Sequence, residues 1–233
     1  KEPVDLPAFN LATPASRCQS CGQKITWYEN IPLLSYIALR GRCSACGQTI
    51  SLRYPAVEIA TGVLFGWCFA IFGLTVSAFV WSGFAAALVA LAMIDLDATL
   101  LPDDIVYPLL WAGLAASAAQ LTGTHLAHAV WGAVYGYMSL WLVYWAFKLA
   151  TGKEGMGYGD FKLFAALGAW FGWQALVPII IMASVIGALA SVGMRLAGKS
   201  PANGQIPFGP FLAAAGLVVM VVGPQVFART LGL

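Results

Sequence analysis

Two aspartates stand where apolar sequence meets a turn, and both could take part in acid–base chemistry. Asp160 ends a glycine-rich stretch that begins at Gly155, and the apolar run 161–167 follows it. Asp95 directly follows the apolar run 84–94. A carboxylate held at membrane depth is costly, so it is a functional candidate by default. The alternative for Asp160 is an ordinary helix N-cap, because Asp is favoured at that position.

The two aspartates are separated by two predicted membrane spans, which return the chain to the same membrane face. Two carboxylates that approach each other closely cannot both ionise easily, and they then titrate as a pair. The charged member could take a proton from water while the neutral member polarises a peptide carbonyl. Gly157 and Gly159 would leave room for an extended substrate backbone to approach. Asp95 and Asp160 therefore predict an aspartic peptidase site.

The other acids near Asp95 have a simpler interpretation. The segment 93–104 carries no basic residue that could pair with them. Asp97, Asp103 and Asp104 are best explained as a solvated turn, with the last two capping the helix that follows Pro102.

Other hydrolytic chemistries lack the residues they need. The chain has two histidines, His125 and His128, and both lie near a loop predicted on the opposite membrane face. A serine or metal-dependent hydrolase would need a histidine beside its nucleophile or metal. No HExxH, nucleophile-elbow or P-loop motif occurs. The two histidines are better interpreted as surface residues than as ligands.

A metal site is predicted by four cysteines in two Cys-x-x-Cys pairs: Cys18, Cys21, Cys43 and Cys46. The spacing is close to that of a zinc ribbon, and four thiolates suit a closed, structural tetrahedral site. Gly22 and Gly47 follow the pairs, where a tight turn would wrap the metal. A dithiol redox site and unligated cysteines are the alternatives, although cytoplasmic thiols stay reduced. Cys68 lies within an apolar span and is expected to be a buried filler.

Composition predicts an all-α polytopic membrane protein. Apolar residues make up 60% of the chain and charged residues 9%, whereas soluble domains have about 25% charged residues. About seven transmembrane helices are predicted, at 55–73, 76–94, 105–121, 127–148, 161–173, 175–195 and 208–228. Residues 1–54 form a separate, small zinc-ribbon-like segment, and residues 55–233 form the membrane domain. The net charge of +2 gives no indication of nucleic-acid binding.

The loops predict the orientation of the chain. If residues 1–54 lie in the cytoplasm, eleven of the twelve Lys and Arg residues fall on the cytoplasmic side. Positively charged loops are typical of that side. Asp95 and Asp160 then lie at the cytoplasmic face of the membrane.

The chain resembles the type IV prepilin peptidase family over essentially its whole length. The resemblance is carried by the Cys-x-x-Cys pairs and by four stretches: Gly157-Tyr158-Gly159-Asp160, the Ile94-Asp95 to Leu101-Pro102-Asp103 segment, Arg53-Tyr54-Pro55-Ala56-Val57-Glu58, and the run from Trp27 to Tyr36. The glycine–aspartate motif alone is weak, because presenilin-like proteases share it. In combination with the cysteine pairs it is specific.

The resemblance implies a bifunctional enzyme of the bacterial inner membrane, with Asp95 and Asp160 as the catalytic aspartates. Such enzymes cleave the leader of type IV prepilins and type II secretion pseudopilins after a glycine, then methylate the new N-terminus with S-adenosylmethionine. Glu29 and Glu58 are candidates for the methyl-transfer site. Alternatively, Glu29 is an exposed loop acid and Glu58 is an acid in the first turn of a helix. Family members begin with a membrane helix ahead of the cysteines, so seven of eight spans are expected here.

Two other functions remain open at this point. A proton- or cation-coupled transporter could use intramembrane carboxylates, with the zinc segment as a regulatory module. Against it, both acids lie at one face and no span carries a charge at its middle. A non-enzymatic assembly scaffold would leave the two aspartates unexplained.

Overall fold

The computed structural model describes residues 16–153, 155–198, 207–223 and 226, and the regular secondary structure of this part of the chain is helical, apart from two isolated β-bridges. The helices are α1 (Leu34–Ala38), α2 (Arg53–Phe72), α3 (Val76–Ala98), α4 (Asp103–Ala118), α5 (Leu126–Thr151), α6 (Tyr158–Phe171), α7 (Leu176–Leu196) and α8 (Gly209–Val222). A short 3-10 turn, Trp173–Ala175, leads into α7.

Each of the seven predicted spans falls on one of these helices, but the helices differ in length. Four are long and apolar enough to cross a membrane: α2, α3, α5 and the segment Trp173–Leu196. The other three, α4, α6 and α8, have 16, 14 and 14 described residues. A single helix needs about 20 residues to cross the hydrocarbon layer. The all-helical membrane class is therefore supported with four candidate spans, and about seven spans stays a prediction. Part of the predicted span 208–228 lies outside the described residues.

The chain divides into two compact units, Lys1–Val63 and Leu64–Leu233. The division falls inside α2, because this helix begins in the cysteine-containing segment and continues into the apolar sequence. The functional boundary predicted after residue 54 stays a prediction.

In the first unit, hereafter unit 1, matching turns shape the two cysteine pairs. The N–H of Cys18 donates to the carbonyl of Gln23 over 2.9 Å, and the N–H of Cys43 donates to Gln48 over 2.8 Å. Many apolar side chains stay on the surface, and Trp27 is 80% exposed. The described part of unit 1 therefore has little apolar core of its own.

In the second unit, unit 2, helix α6 lies at the centre. Its residues from Leu163 to Phe171 are all buried, and it packs against α4, α5 and α8. Small residues let the helices approach closely. Gly132 of α5 lies directly against the backbone of Gly168, and Gly136 faces the carbonyl oxygen of Phe164. Such close contacts are typical of helix packing in membranes.

An aromatic cluster fixes the far end of α6. The Trp170 ring lies 4.5 Å from that of Phe84 and 5.2 Å from that of Trp81, centroid to centroid. Its indole N–H donates to the Leu109 carbonyl over 2.8 Å. Most buried indole N–H groups have such a partner. These contacts join α6 to α3 and α4, and so help to set the position of its first turn, which carries Asp160.

Candidate active site and cysteine cluster

Asp160 lies in the first turn of α6 and is 7% exposed. The interpretation of Asp160 as the N-cap is wrong, because Gly157 occupies that position and Asp160 is the third residue of the helix. The Gly157 N–H hydrogen-bonds back to the Asp160 carboxylate. A side chain at the third position that reaches back in this way is half of a capping box. The turn thus holds the carboxylate at a fixed place.

Asp95 lies in the last turn of α3 and is 5% exposed, whereas the neighbouring Leu96 is 53% exposed. The backbone N–H of Gly209 hydrogen-bonds to the Asp95 carboxylate. Gly209 is the first residue of α8, so this N–H is one of the donors that a helix N-terminus leaves without an internal partner. The other oxygen, Oδ2, is buried and has no hydrogen-bond partner among the described residues.

Leu101 connects the surroundings of the two aspartates. If Gly159 carried a Cβ atom, that atom would lie 2.8 Å from the Leu101 Cβ. A Cβ atom on Gly209 would lie 3.2 Å from the Leu101 Cδ1 and 2.5 Å from Asp95 Oδ2. Leu101 therefore touches the backbone beside Asp160 and the backbone that holds Asp95. The two carboxylates are close enough to interact electrostatically. Two buried acids from α3 and α6 thus share one neighbourhood, as an acid–base pair requires.

The two glycines predicted to admit a substrate have different surroundings. Gly159 faces the Leu101 side chain, so its lack of a side chain makes room for packing within the protein. Gly157 faces open space, and the nearest atom to an added Cβ would be Asp160 Oδ2 at 3.9 Å. A side chain would therefore have more room at Gly157 than at Gly159, and the role of both glycines in admitting a substrate stays a prediction.

The remaining acids of the 93–104 segment are exposed, as predicted for a solvated turn. Pro102 is the N-cap of α4, so Asp103 and Asp104 occupy its first turn rather than capping it. Asp103 also has a basic partner that the segment itself lacks. The Lys162 Nζ donates to both of its carboxylate oxygens, at 2.7 and 2.9 Å.

The histidines lie at the start of α5. His125 is exposed, as predicted, and His128 is half-buried. The Trp173 indole N–H donates to His128 Nδ1 over 2.9 Å. His128 therefore has a local hydrogen-bonding role.

The four cysteines of unit 1 come together as the spacing predicts. The sulfur atoms of Cys18, Cys21, Cys43 and Cys46 all lie within 4.8 Å of one another. Gly22 and Gly47 have φ angles of +71° and +70°, which glycine adopts without strain, so the predicted turns are confirmed. This cluster could hold a metal ion.

The electrostatics of the cluster fit a bound cation. The N–H groups of Cys21 and Ser20 lower the pKa of the Cys18 thiol to about 6. The hydrogen bond from the Gln48 N–H lowers the pKa of the Cys46 thiol, but desolvation and the three neighbouring thiols together raise it to about 11. Thiolates this close repel one another unless a cation lies between them. Four soft sulfur donors suit a tetrahedral metal.

Comparison with known proteins identifies the family of this chain. A model described as "Type IV leader peptidase family" matches residues 82–192, and one described as "Bacterial Peptidase A24 N-terminal domain" matches residues 4–72. A prepilin leader peptidase/N-methyltransferase of Stutzerimonas stutzeri is 50% identical over 237 residues, covering 99% of this chain and 82% of that protein. This chain belongs to the type IV leader peptidase family.

Further relatives carry the same name. The protein of Pseudomonas aeruginosa is 49% identical over 218 residues, covering 94% of this chain and 75% of that protein. The protein of Aeromonas hydrophila is 48% identical over 232 residues, covering 97% and 77%. No solved structure matches the chain. The resemblance seen in the sequence is confirmed, and this chain is a member of a peptidase family.

The leader peptidase match contains both aspartates, and the N-terminal match contains the four cysteines and both glutamates. Glu29 accepts hydrogen bonds from the N–H and hydroxyl of Thr26, at 2.9 and 2.6 Å. Hydrogen bonds from Ser44 and then Thr26 lower the pKa of Glu29 to about 2. Glu58 accepts the Leu33 N–H over 2.8 Å, at a backbone position with φ of +59°. Both carboxylates therefore stabilise the turns between residues 26 and 33.

A cleft of about 560 Å³ lies within unit 1 beside the cysteines. Glu29 and Glu58 both line it, and Tyr36 and Tyr54 add aromatic surface. Its volume is in the range typical of small-molecule sites, about 300–1,000 Å³. The two glutamates predicted from the sequence therefore line the same cleft.

Three residues of the aspartate site were not found from the sequence: Leu101, Lys162 and Gly209. Leu101 lies inside a recognised motif and Lys162 lies two residues after one, but neither residue type indicates a partner. Gly209 begins an apolar helix far along the chain from Asp95. Only the packing of α8 against α3 brings Gly209 to that carboxylate.

Proposed function

We propose that this chain is a membrane aspartic endopeptidase that cleaves the leader peptide of type IV prepilins and type II secretion pseudopilins after a glycine. One observation carries the proposal. Two buried aspartates from α3 and α6 lie beside backbone segments that both contact Leu101, in a chain whose relatives are named prepilin leader peptidase/N-methyltransferase.

Asp95 and Asp160 perform the hydrolysis as a pair. The ionised carboxylate takes a proton from water, and the resulting hydroxide attacks the scissile carbonyl carbon. The neutral carboxyl donates its proton to the carbonyl oxygen, so no full negative charge develops there. Collapse of the tetrahedral intermediate breaks the C–N bond. The carboxyl that took the proton from water gives it to the leaving amine, and the other carboxylate takes a proton back from the new carboxylic acid group. The open space at Gly157 is where the substrate backbone approaches.

The chain lies in the bacterial inner membrane with about seven spans, and the aspartates and the cysteine cluster face the cytoplasm. The distribution of Lys and Arg supports this orientation. Helix α6 is too short to cross alone, but other helices surround it almost completely. A short helix in such surroundings is protected from lipid by its neighbours.

The cysteine cluster holds zinc in a structural role, and the cleft beside it is the methyl-transfer site. The four cysteines supply all the ligands of a closed tetrahedral site. S-adenosylmethionine, when bound, supplies an electrophilic methyl group carried on a positively charged sulfur. Carboxylates concentrate positive charge in a cleft, so Glu29 and Glu58 favour such a ligand. Because both already accept hydrogen bonds, they also fix the shape of the cleft edge.

The test is cleavage of a prepilin segment, containing the leader and the start of the hydrophobic helix, by the purified protein in lipid. Asp95→Asn and Asp160→Asn should each abolish cleavage, because neither amide can exchange the required proton. The matched control is Asp104→Asn, since Asp104 is exposed in the first turn of α4. It should cleave normally. Near wild-type cleavage by either of the first two variants would refute the assignment.

A further inference from the structure

Lys162 is the second residue after Asp160, and its side chain is 22% exposed. Its ammonium contacts both carboxylate oxygens of Asp103, at 2.7 and 2.9 Å. The two residues lie 59 positions apart, so this ion pair joins α6 to α4 directly. It does so at the first residue of α4 and the fifth residue of α6.

The ammonium of Lys162 has a second contact on the same helix. It lies 5.2 Å from the centroid of the Tyr107 ring, within the range of a cation–π interaction. Tyr107 follows Asp103 by four residues, so both side chains lie on one face of α4. Together they fix the ammonium from two directions.

The ion pair sits between the segments that carry the two aspartates. Asp103 follows Leu101 by two residues, and Leu101 packs against Gly159 and Gly209. On one side, the chain from Asp95 reaches Asp103 through the short 99–102 connection between α3 and α4. On the other side, Lys162 and Asp160 share one helical turn. An exposed ion pair contributes little to overall stability, so its consequence here is local position.

We propose that Lys162 is a positioning residue of the aspartate site, acting through its ion pair with Asp103. The pair holds the first turn of α6 against the α3–α4 connection and so keeps Asp160 in register with Asp95. This inference rests on the proposed peptidase function. Small displacements of catalytic groups can lower rates by up to about 100-fold. Loss of the ion pair should therefore reduce kcat on the order of 10-fold and leave KM nearly unchanged.

The experiment is a double-mutant cycle on prepilin cleavage with the full chain in lipid. Lys162→Gln and Asp103→Asn should each lower kcat, and the double variant should be no slower than the slower single variant, within about twofold. Multiplication of the two losses in the double variant would overturn the proposal. So would wild-type kcat in both single variants, or a loss confined to KM.

Two control variants distinguish loss of this ion pair from a general effect of removing a charge. Asp104→Asn removes a neighbouring acid from the same helical turn, and Lys153→Gln removes another exposed lysine. Both should retain wild-type kcat, and an equal loss in Asp104→Asn and Asp103→Asn would contradict the proposal. If Lys162→Gln fails to fold, the comparison of these two aspartate variants decides the question. Failure of wild-type protein to cleave would instead refute the proposed function.

Discussion

Different interactions stabilise the interior of each of the two units. Among the described residues of unit 1, only Gly41 and Pro55 are buried, and the four cysteine sulfurs gather within 4.8 Å of one another. Unit 2 buries large side chains such as Trp170, Phe84 and Phe161 around its central helix. Segments with little apolar core depend on a metal or cross-link, whereas unit 2 depends on close helix packing.

The aspartate site and the cleft of unit 1 therefore depend on different sources of stability. The aspartate site depends on the fit between helices, at contacts such as those of Leu101. The cleft of unit 1 depends on turns that the cysteines and two glutamates hold. Each region should therefore be open to disruption without loss of the other.

The largest expected effect is loss of the metal from unit 1. Cys18→Ser removes one of the four sulfur ligands, so the variant should lose metal affinity and, with it, the stability that metal binding gives, which is about 10–16 kcal/mol in zinc-finger peptides. Elemental analysis should fall from about one metal per chain, and amide exchange should rise at Gly22 and Gly47. The thermal transition of unit 2 should not move.

The control for this experiment is Cys68→Ser, which removes the buried cysteine of α2. It should retain the metal. Full metal content in Cys18→Ser, or loss of the unit 2 transition in that variant, would contradict the distinction between the units.

The reciprocal disruption is Gly132→Ala in α5. The added methyl would meet the backbone of Gly168, so the helices must separate. Overpacking of this kind costs about 1–3 kcal/mol. Thermal unfolding followed by tryptophan fluorescence should shift downward, with metal content unchanged. Gly193→Ala in α7 meets nothing within 4 Å and should not destabilise. Equal stability of these two variants would show that the close α5–α6 contact is unimportant.

A smaller and more local effect is expected from the two glycines before Asp160. Gly159→Ala would push against Leu101 and displace the Asp160 turn, lowering kcat on the order of 10-fold. Gly157→Ala adds a methyl in open space, so it should raise KM with little change in kcat if substrate passes there. Steady-state cleavage kinetics distinguish the two. Unchanged KM and kcat in Gly157→Ala would remove this residue from the substrate path.

The smallest expected effect concerns the pH dependence of unit 1. The pKa of Glu29 is lowered to about 2 by Ser44 and Thr26, so its stabilising contribution is complete above about pH 5. That contribution is lost only as the pH falls from the ordinary carboxyl range toward 2. The difference in unfolding midpoint between wild type and Glu29→Gln should therefore stay constant from pH 5.5 to 8. A difference that changes with pH in this window would show that Glu29 titrates there, which contradicts the lowered pKa.

Much of the chemistry could be predicted from the sequence because it is local. Cysteine spacing with a following glycine specifies each turn, and an acid after an apolar run marks a helix end. Helix limits were less predictable. Helix α6 begins at Tyr158 rather than at residue 161, because Gly157 takes the N-cap position. Helix α3 continues to Ala98, past the predicted end at residue 94, and stops where Thr99 adopts a left-handed conformation.

The contacts that orient the aspartates could not be predicted, because they depend on tertiary packing. Nothing in the sequence near Gly209 indicates that its N–H meets Asp95. Lys162 and Asp103 are 59 residues apart, and their pairing follows only from the approach of α6 to α4. Likewise, the sequence does not reveal that Leu101 fills the space beside Gly159.

The most direct test of two separate sites is to measure both reactions in one preparation of Asp160→Asn. The variant is offered an uncleaved prepilin segment and, separately, a pre-cleaved segment with a free N-terminal amine and labelled S-adenosylmethionine. We expect cleavage to be lost and methyl transfer to proceed at the wild-type rate, because the cleft of unit 1 is unaltered. Loss of both reactions, with metal content and fold intact, would contradict the account and indicate a single shared site.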